Sequence, residues 1–357
     1  MPVNNPSKYP LRVNAPRKGI QFSYLRAGAL LGIIAISGLF LLPQVITLEV
    51  INEQTQTTTT QPAVVTTAVA NSFPISVNPA TKSIVDNPQA DAFFKANRTP
   101  LTAAVGNVGD LFSWIASLID NTALYQSLAG ADGHLISVRP GYRKEEVLSQ
   151  LTNALHWTKI QQQQFSAAVA SENSGIPDGI FAPGNYVVDT SMTPASVAAL
   201  MNVKFGQTIL SHYSTTTAST VPLSDALTVA SMLEREASGS SDIRIISGII
   251  WNRLFNNMNL QIDATLQYAK GENRSGNWWQ KVVPADKFIK SPYNTYAHAG
   301  LPPGPIANPS VASVLAALNP VPTSCLYYFH DARGVFHCSK TYAQHVALLK
   351  KYYGQGK

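Results

Sequence analysis

Charged side chains are scarce in this sequence, and their scarcity excludes several classes of protein. Asp, Glu, Lys and Arg make up 13% of the 357 residues, whereas hydrophobic residues make up 45%. The usual share of charged residues in a soluble protein is about 25%. This composition excludes a wholly disordered, highly charged chain and leaves enough apolar material for one or two cores.

Acidic residues are absent from the first 26 positions, which contain five basic residues and therefore carry +5 of the formal net charge of +6. The other residues are close to neutral as a group. The positive net charge of the chain therefore gives no reason to expect a nucleic acid as a partner. The five basic residues are Lys8, Arg12, Arg17, Lys18 and Arg26.

An uncharged run follows this basic tail and extends from Ala27 to Leu48. As a helix, 22 residues would measure about 33 Å, which is enough to cross the apolar part of a bilayer. A cleaved signal peptide is the alternative, but the run is longer than its usual apolar region and no A-x-A-like site follows. We expect an uncleaved anchor at residues 27–48, with residues 1–26 in the cytoplasm and the rest of the chain outside the cell membrane.

Bulky apolar residues are also sparse after the anchor, where the run Thr57 to Thr60 stands out. Residues 49–100 are therefore predicted to be a Thr-rich spacer. Between Leu111 and Leu128 apolar residues recur at helical spacing, which predicts a helical connector over residues 101–132.

The pattern then changes to short strands alternating with helices, which predicts an α+β fold. Residues 133–212 are predicted to form a small module with a strand at 136–138, a helix at 145–155, and a turn and strand over 181–188. A further helix capped near Thr193 follows. Ser/Thr-rich residues 213–222 are predicted to be a linker, and residues 223–357 to be mostly helical with a small sheet.

Cysteine occurs only twice, at Cys325 and Cys338, on either side of a hairpin predicted around Asp331 to Gly334. Antiparallel pairing would place the two residues nearly opposite each other, and the extracytoplasmic side permits oxidation. A disulfide is therefore expected. Two separate, buried thiols are the alternative.

Two glutamates stand at the end of a helix predicted over Asp225 to Ala237 with Ser224 as its cap. At 100° per residue, Glu236 lies close to the apolar stripe that contains Met232, whereas Glu234 lies about 160° away. Burial and the negative end of the helix dipole would raise the pKa of Glu236, as a general acid requires. Pairing of Glu236 with Arg235 or Arg253 is the alternative.

Several segments in the same order resemble the endolytic murein transglycosylase family, the YceG-like proteins. The similarity covers residues 223–345 densely, and residues 133–205 more loosely resemble the family's LysM-like subdomain. The sequence departs from the family pattern at Ala237, where Ser or Thr is usual, and at Ala264, where Pro is usual and where only a looser turn is expected. The matching segments are ASMLERE (230–236), IIWNRL (249–254), MNLQIDAT (258–265), SPYNTY (291–296), GLPPGPIANP (300–309) and, for the subdomain, VRPG (138–141) and FAPGNY (181–186).

The resemblance implies a lytic transglycosylase that cleaves the β-1,4 bond between N-acetylmuramic acid and N-acetylglucosamine and leaves 1,6-anhydro ends. Its expected partners are peptidoglycan strands, the membrane and peptidoglycan synthases. No cofactor or metal is expected, since His330, His337 and His345 lack metal-site spacing. Glu236 corresponds to the catalytic glutamate, and the residues expected to bind substrate or order the loops around it are Gln261, Asp263, Tyr293, Asn294 and Tyr296.

Two other functions remain open. A non-catalytic wall-binding or division scaffold could keep the same fold, and the departure at Ala237 is the sequence feature that favours it. A muramidase would hydrolyse the same bond with a second carboxylate about 5 to 9 Å from the acid. Asp263 is the candidate for that second carboxylate.

Overall fold

The structure is a computed structural model that describes residues 44–52, 54, 72–96, 133–172, 175–237, 242–271 and 276–354. Within these ranges the chain is a helix-rich α+β protein with three two-stranded antiparallel sheets. The predicted cytoplasmic tail, most of the predicted anchor and the predicted connector lie outside the described residues. Among the helices that are described, none has both the length and the apolar character needed to cross a membrane.

Residues 72–96 are folded onto the rest of the protein, so the prediction of a spacer is wrong for this part of residues 49–100. They form strands β1 (Val77–Asn78) and β2 (Ser83–Ile84) and helix α1 (Pro88–Ala96). Phe73 and Phe94 enter the common core, and the Phe73 N–H donates to the carbonyl of His212 at 2.8 Å. Val77 is buried in the same core, and Ile75 and Ile84 pack against it, so apolar side chains attach this segment to the rest of the protein.

The predicted α+β module at residues 133–212 contains one sheet and three main helices. Residues 133–212 are called the amino-terminal module below. Strand β3 (Gly133–Val138) pairs antiparallel with β4 (Gly184–Asp189). Thr193 caps the last main helix as predicted, because its side chain accepts a hydrogen bond from the Ser196 N–H. The helices are α2 (Lys144–Leu155), α3 (Lys159–Glu172), which was not predicted, and α4 (Pro194–Thr208), followed by the 3-10 helix Leu210–His212.

The predicted linker contains a short helix, α5 (Thr215–Thr220), capped by Ser214, whose side chain accepts from the Thr217 N–H. Pro222, rather than the predicted Ser224, stands at the N-cap of the next helix, and Ser224 instead donates to Asp225 Oδ1 at 3.3 Å. The following elements are α6 (Leu223–Glu236), α7 (Ile243–Phe255), α8 (Asp263–Lys270), the 3-10 helix Pro284–Phe288, α9 (Val311–Leu318), β5 (Tyr327–His330), β6 (Phe336–Ser339) and α10 (Tyr342–Tyr353).

The predicted hairpin is present as β5 and β6, and a disulfide joins Cys325 to Cys338 with an S–S distance of 2.06 Å. The β5–β6 register places Tyr328 opposite Cys338 and His330 opposite Phe336. The disulfide therefore closes the open end of the hairpin, which carries part of the site described below.

Helix α6 lies at the centre of the core, and it is buried on every side from Ala226 to Leu233. It packs against α7 and α9. The amino-terminal module is fixed to this core by Asn308, which accepts from the Phe181 N–H at 2.8 Å and donates to the carbonyl of Tyr142. At Gly179, where φ is +80°, a Cβ atom would lie 2.7 Å from the side chain of Pro305, so the Gly179 backbone packs against Pro305 as only glycine allows.

Candidate active site

Glu236 is the last residue of helix α6, and its partly buried carboxylate accepts hydrogen bonds from two other elements. The phenol of Tyr328 on β5 donates to Glu236 Oε2 at 2.8 Å. The backbone N–H of Ala264, in the first turn of α8, donates to the same carboxylate. The end of one helix, the start of another and a strand of the hairpin therefore meet at this one acid.

The surroundings of Glu236 act on its ionisation in opposite directions. Burial raises the pKa of Glu236 above its ordinary value, and the negative charge of Asp263 raises it further. The hydrogen bonds from Tyr328 and Ala264 and the charge of His330 lower the pKa. The net direction is upward, so Glu236 holds a proton at higher pH than an exposed glutamate does. A carboxyl group in this condition can act as a general acid.

Glu234 has a different task, although it also points into the protein. Its Oε2 accepts from the Ser310 N–H at 2.9 Å, from Ser310 Oγ at 2.7 Å and from Ser313 Oγ at 2.6 Å. These groups belong to the N-terminus of α9, where a carboxylate is stabilised by free N–H groups and the helix dipole. Glu234 and Glu236 are both partly buried, so the position of each glutamate relative to the apolar stripe of α6 does not by itself distinguish the two acids.

The alternative in which Glu236 pairs with a neighbouring arginine is not what the structure contains. Arg253 Nε donates to the carbonyl of Leu326 at 2.7 Å, and its Nη1 donates to the carbonyl of Leu260 at 2.5 Å. The guanidinium of Arg235 lies 3.9 Å from the centre of the Trp279 ring. Arg253 therefore binds backbone carbonyls of two loops, and Arg235 packs on the ring of Trp279.

Asp263 and Tyr296 come together beside Glu236. The phenol of Tyr296 donates to Asp263 Oδ1 at 2.6 Å. Burial raises the pKa of Tyr296, and the hydrogen bond to Asp263, the charge of Asp263 and the charge of Glu236 raise it further. Asp263 is exposed, and so is Gln261, which takes a φ of +54° and donates its N–H to the carbonyl of Thr295. Asp263, at the start of α8, and Tyr296 therefore lie next to the acid, and Gln261 lies two positions before Asp263 in the chain.

Asn294 and Tyr293 occupy other positions. Asn294 is fully buried, and its amide donates to the carbonyls of Lys287 and Ile289 while its Oδ1 accepts from the Tyr296 N–H. All three contacts shape the loop that carries Tyr296, which agrees with the loop-ordering role expected for Asn294, and a contact of Asn294 with a sugar stays a prediction. Tyr293 lies against Tyr268, with 4.6 Å between ring centres.

Tyr293 belongs to a second buried cluster around Asp178. Asp178 Oδ1 accepts from the N–H groups of Lys144 and Gly179, and Asp178 Oδ2 accepts from the phenol of Tyr268 at 3.3 Å. Complete burial raises the pKa of Asp178 to about 7. This cluster joins the amino-terminal module to α8, so the expected sugar-binding role of Tyr293 is not supported by its contacts.

Sequence reasoning did not identify Tyr328 or the Ala264 amide as neighbours of the acid. Tyr328 is separated from Glu236 by 92 positions, and no short-range pattern links them. Ala264, where the family usually has proline, does more than loosen a turn, because a proline there would lack the N–H that donates a hydrogen bond to Glu236. One available signal was the two-residue alternation of β5, which places Tyr328 and His330 on the same face.

The histidines near the hairpin take carboxylate or aromatic partners. His330 Nε2 lies 2.5 Å from Asp242 Oδ2, and His337 Nε2 lies 3.1 Å from Asp331 Oδ2. In the described ranges no three His, Cys, Asp or Glu side chains are grouped in a way that could hold a metal ion. The chemistry that the site offers is thus proton transfer by one partly buried carboxyl group next to an exposed, polar loop surface.

Fold and site together are those of a helix-rich α+β protein whose candidate site is centred on the partly buried carboxyl group of Glu236. The chain belongs to the YceG-like family, whose model matches residues 114–351. A crystal structure of a yceG-like protein from Listeria monocytogenes, at 2.6 Å resolution, is similar with a TM-score of 0.53 and 26% identity. The similarity covers 60% of this chain and 75% of that one.

Named relatives agree with this membership. A protein of Bacillus subtilis (strain 168) named endolytic murein transglycosylase is 31% identical over 219 residues, which is 59% of this chain and 59% of the relative. A protein of the same name from Streptococcus pneumoniae serotype 2 is 30% identical over 205 residues, which is 54% of this chain and 37% of the relative. The matches therefore span less than two thirds of these relatives' lengths.

Proposed function

We propose that this protein is a membrane-anchored endolytic lytic transglycosylase that acts on peptidoglycan strands. The observation that carries the proposal is Glu236, a partly buried acid whose pKa is raised chiefly by burial, within a chain of the YceG-like family. The relatives named endolytic murein transglycosylase support the substrate and the reaction class.

The proposed reaction needs one carboxyl group that works twice. Glu236 gives its proton to the oxygen that links C1 of N-acetylmuramic acid to N-acetylglucosamine, and the C1–O bond breaks as positive charge develops at C1. The Glu236 carboxylate then takes the proton of the 6-hydroxyl of the same muramic acid. The 6-oxygen bonds to C1 and closes a 1,6-anhydro ring. Glu236 ends protonated, and no water is consumed.

Asp263 is assigned a supporting role in this reaction. Its Oδ1 is engaged by the Tyr296 phenol, and its negative charge favours the protonated form of Glu236. A tethered hydroxyl already has a high effective concentration, so a second carboxylate is not required to activate a nucleophile. Asp263, Tyr296 and the exposed Gln261 are proposed to meet the sugar hydroxyls and ring faces.

The remaining parts of the proposal concern placement in the cell. The uncharged run at residues 27–48, after the basic tail, supports a single anchor with the catalytic part outside the membrane. The module at residues 133–212 is proposed to be LysM-like and to hold the glycan strand beside the site. The action on strands of a growing wall makes peptidoglycan synthases the expected protein partners.

Digestion of purified peptidoglycan tests the proposal. The full-length chain in detergent should release muropeptides with anhydro ends, and Glu236→Gln should lose nearly all activity while keeping its circular dichroism spectrum. Glu234→Gln is the matched control, because the amide oxygen can still accept from Ser310 and Ser313. Equal losses in the two variants would contradict the assignment of Glu236, and binding to peptidoglycan without cleavage by the unaltered chain would favour the scaffold alternative.

A further inference from the structure

Tyr328 is held so that its hydroxyl is directed at the carboxylate of Glu236. Its phenol oxygen lies 2.8 Å from Glu236 Oε2. The ring stacks on Phe336 at 5.9 Å between centres and lies nearly perpendicular to the ring of His330, with 6.5 Å between centres. Strand β5, the facing strand β6 and the acid itself therefore fix the position of this side chain.

We propose that Tyr328 is a positioning residue for Glu236: it fixes the orientation of the carboxyl group and stabilises its ionised form during the reaction. This inference rests on the proposed function, because it concerns the same acid. Tyr328 acts through Glu236 and is not assigned a contact with the substrate.

Glu236 acts first as an acid and then as a base in the proposed reaction, and the hydrogen bond from Tyr328 bears on the second role. Burial and the charge of Asp263 favour the neutral acid that the first proton transfer needs. The second transfer needs a carboxylate, and an unassisted carboxylate in a buried site is costly. A neutral donor at Oε2 stabilises the carboxylate without adding a charge that would suppress the acid form altogether.

The phenol is suited to remain a donor throughout. Burial and the charge of Glu236 raise the pKa of Tyr328 well above its ordinary value, so its proton stays in place at neutral pH. Ala264 adds a second neutral donor from the first turn of α8. The two donors approach from different elements, which restricts rotation of the carboxyl group.

Other titratable groups around Glu236 also contribute to its ionisation. Asp263 approaches from α8 and His330 from β5, where His330 is held by Asp242. Arg253 of α7 acts on Tyr328, and Tyr296 is coupled to Glu236 from its loop. All of these groups remain in a Tyr328 variant, so a comparison with the unaltered chain isolates the effect of the phenol.

The pH dependence of kcat/KM on purified peptidoglycan tests the role of Tyr328 in the full-length chain. Tyr328→Phe removes a donor that lowers the pKa of Glu236, so the alkaline limb should move up by about one pH unit, a tenfold change in the acid dissociation constant. The maximal rate should fall, because the base form is less well stabilised. Tyr327→Phe, on the opposite face of the same strand, should leave the limb unchanged.

A second substitution changes the same interaction in the opposite direction. Replacement of Tyr328 by 3-fluorotyrosine keeps the ring nearly the same size but makes the phenol a stronger donor. The alkaline limb should then move to lower pH. Ala264→Pro, which removes the second donor, should move it to higher pH. An alkaline limb that stays in place in both the phenylalanine and the fluorotyrosine proteins would overturn the proposal.

Direct titration of Glu236 separates this proposal from the proposed function. Infrared difference spectra of chains with ¹³C-labelled glutamate give a carboxyl band for Glu236, identified by its loss in Glu236→Gln. A shift of this band's titration in Tyr328→Phe, with no cleavage of peptidoglycan by any variant, would support the positioning contact and refute the proposed function. Identical titration in both proteins would refute the positioning role even if peptidoglycan is cleaved.

Discussion

Removal of the Glu234 carboxylate should destabilise the protein by undoing the start of helix α9. Glu234→Ala leaves the Ser310 N–H and the hydroxyls of Ser310 and Ser313 without the acceptor that all three share. Hydrogen bonds to a charged group contribute about 1.5 to 3 kcal/mol each. The two hydroxyls can partly compensate, since they lie 3.2 Å apart, and the expected loss in the free energy of unfolding is about 3 to 5 kcal/mol.

Thermal and urea unfolding of the full-length chain measure this loss. A change of this size lowers Tm by roughly 10 °C in a protein with one large core. Glu234→Gln keeps an acceptor oxygen but loses the charge, so it should cost about 1 kcal/mol. Ser313→Ala removes one of the three donors and should have a similarly small effect. A Tm for Glu234→Ala within about 2 °C of the unaltered chain would refute the account of Glu234 as the cap of α9.

Three further outcomes follow from the buried and bonded groups. Because the pKa of Asp178 is raised to about 7, Asp178 holds a proton in the folded state, but not in the unfolded state, between about pH 4 and 7. The free energy of unfolding should therefore fall as the pH rises through this range, by at most about 4 kcal/mol. Asp178→Asn should abolish this pH dependence in urea titrations, and an unchanged pH dependence would contradict the assignment to Asp178. Asp263→Asn should remain active but move the alkaline limb of kcat/KM to lower pH, because the charge of Asp263 raises the pKa of Glu236; complete inactivity with intact folding would favour a hydrolytic second carboxylate. Thiol labelling of the denatured, unreduced protein should find Cys325 and Cys338 blocked, and two labelled thiols would show that the bridge does not form.

Features set by local patterns were predictable from the sequence. The helix predicted over 225–237 is observed as Leu223–Glu236, and the predicted hairpin is present with its disulfide. Helix α3 was missed because its first residues, KIQQQQ, give little apolar periodicity. The segment 72–96 was missed because its attachment depends on a few contacts with distant parts of the chain, such as Asn319 Nδ2 on the carbonyl of Pro74 at 2.6 Å.

The candidate site was likewise predictable only where it depends on residues that are close together in the sequence. Glu236 could be selected from its motif and its place at a helix end, both of which are local in sequence. Its partners could not, since Tyr328 reaches it across 92 positions and Ala264 through a backbone group that no side-chain motif records. The buried position of Asn294 was equally hidden, because a polar residue that shapes a loop and one that binds a sugar are the same in sequence.

The origin of the oxygen at the new chain ends is the most direct test of the central proposal. Digestion of purified peptidoglycan in ¹⁸O-labelled water, followed by mass spectrometry, should give unlabelled 1,6-anhydro-muramic ends, about 18 Da lighter than reducing ends, because the 6-hydroxyl attacks C1 from within the sugar. Glu236→Gln should give neither product. Incorporation of ¹⁸O at the new muramic acid ends would contradict the transglycosylase reaction and would make Asp263 the activating group of a hydrolase.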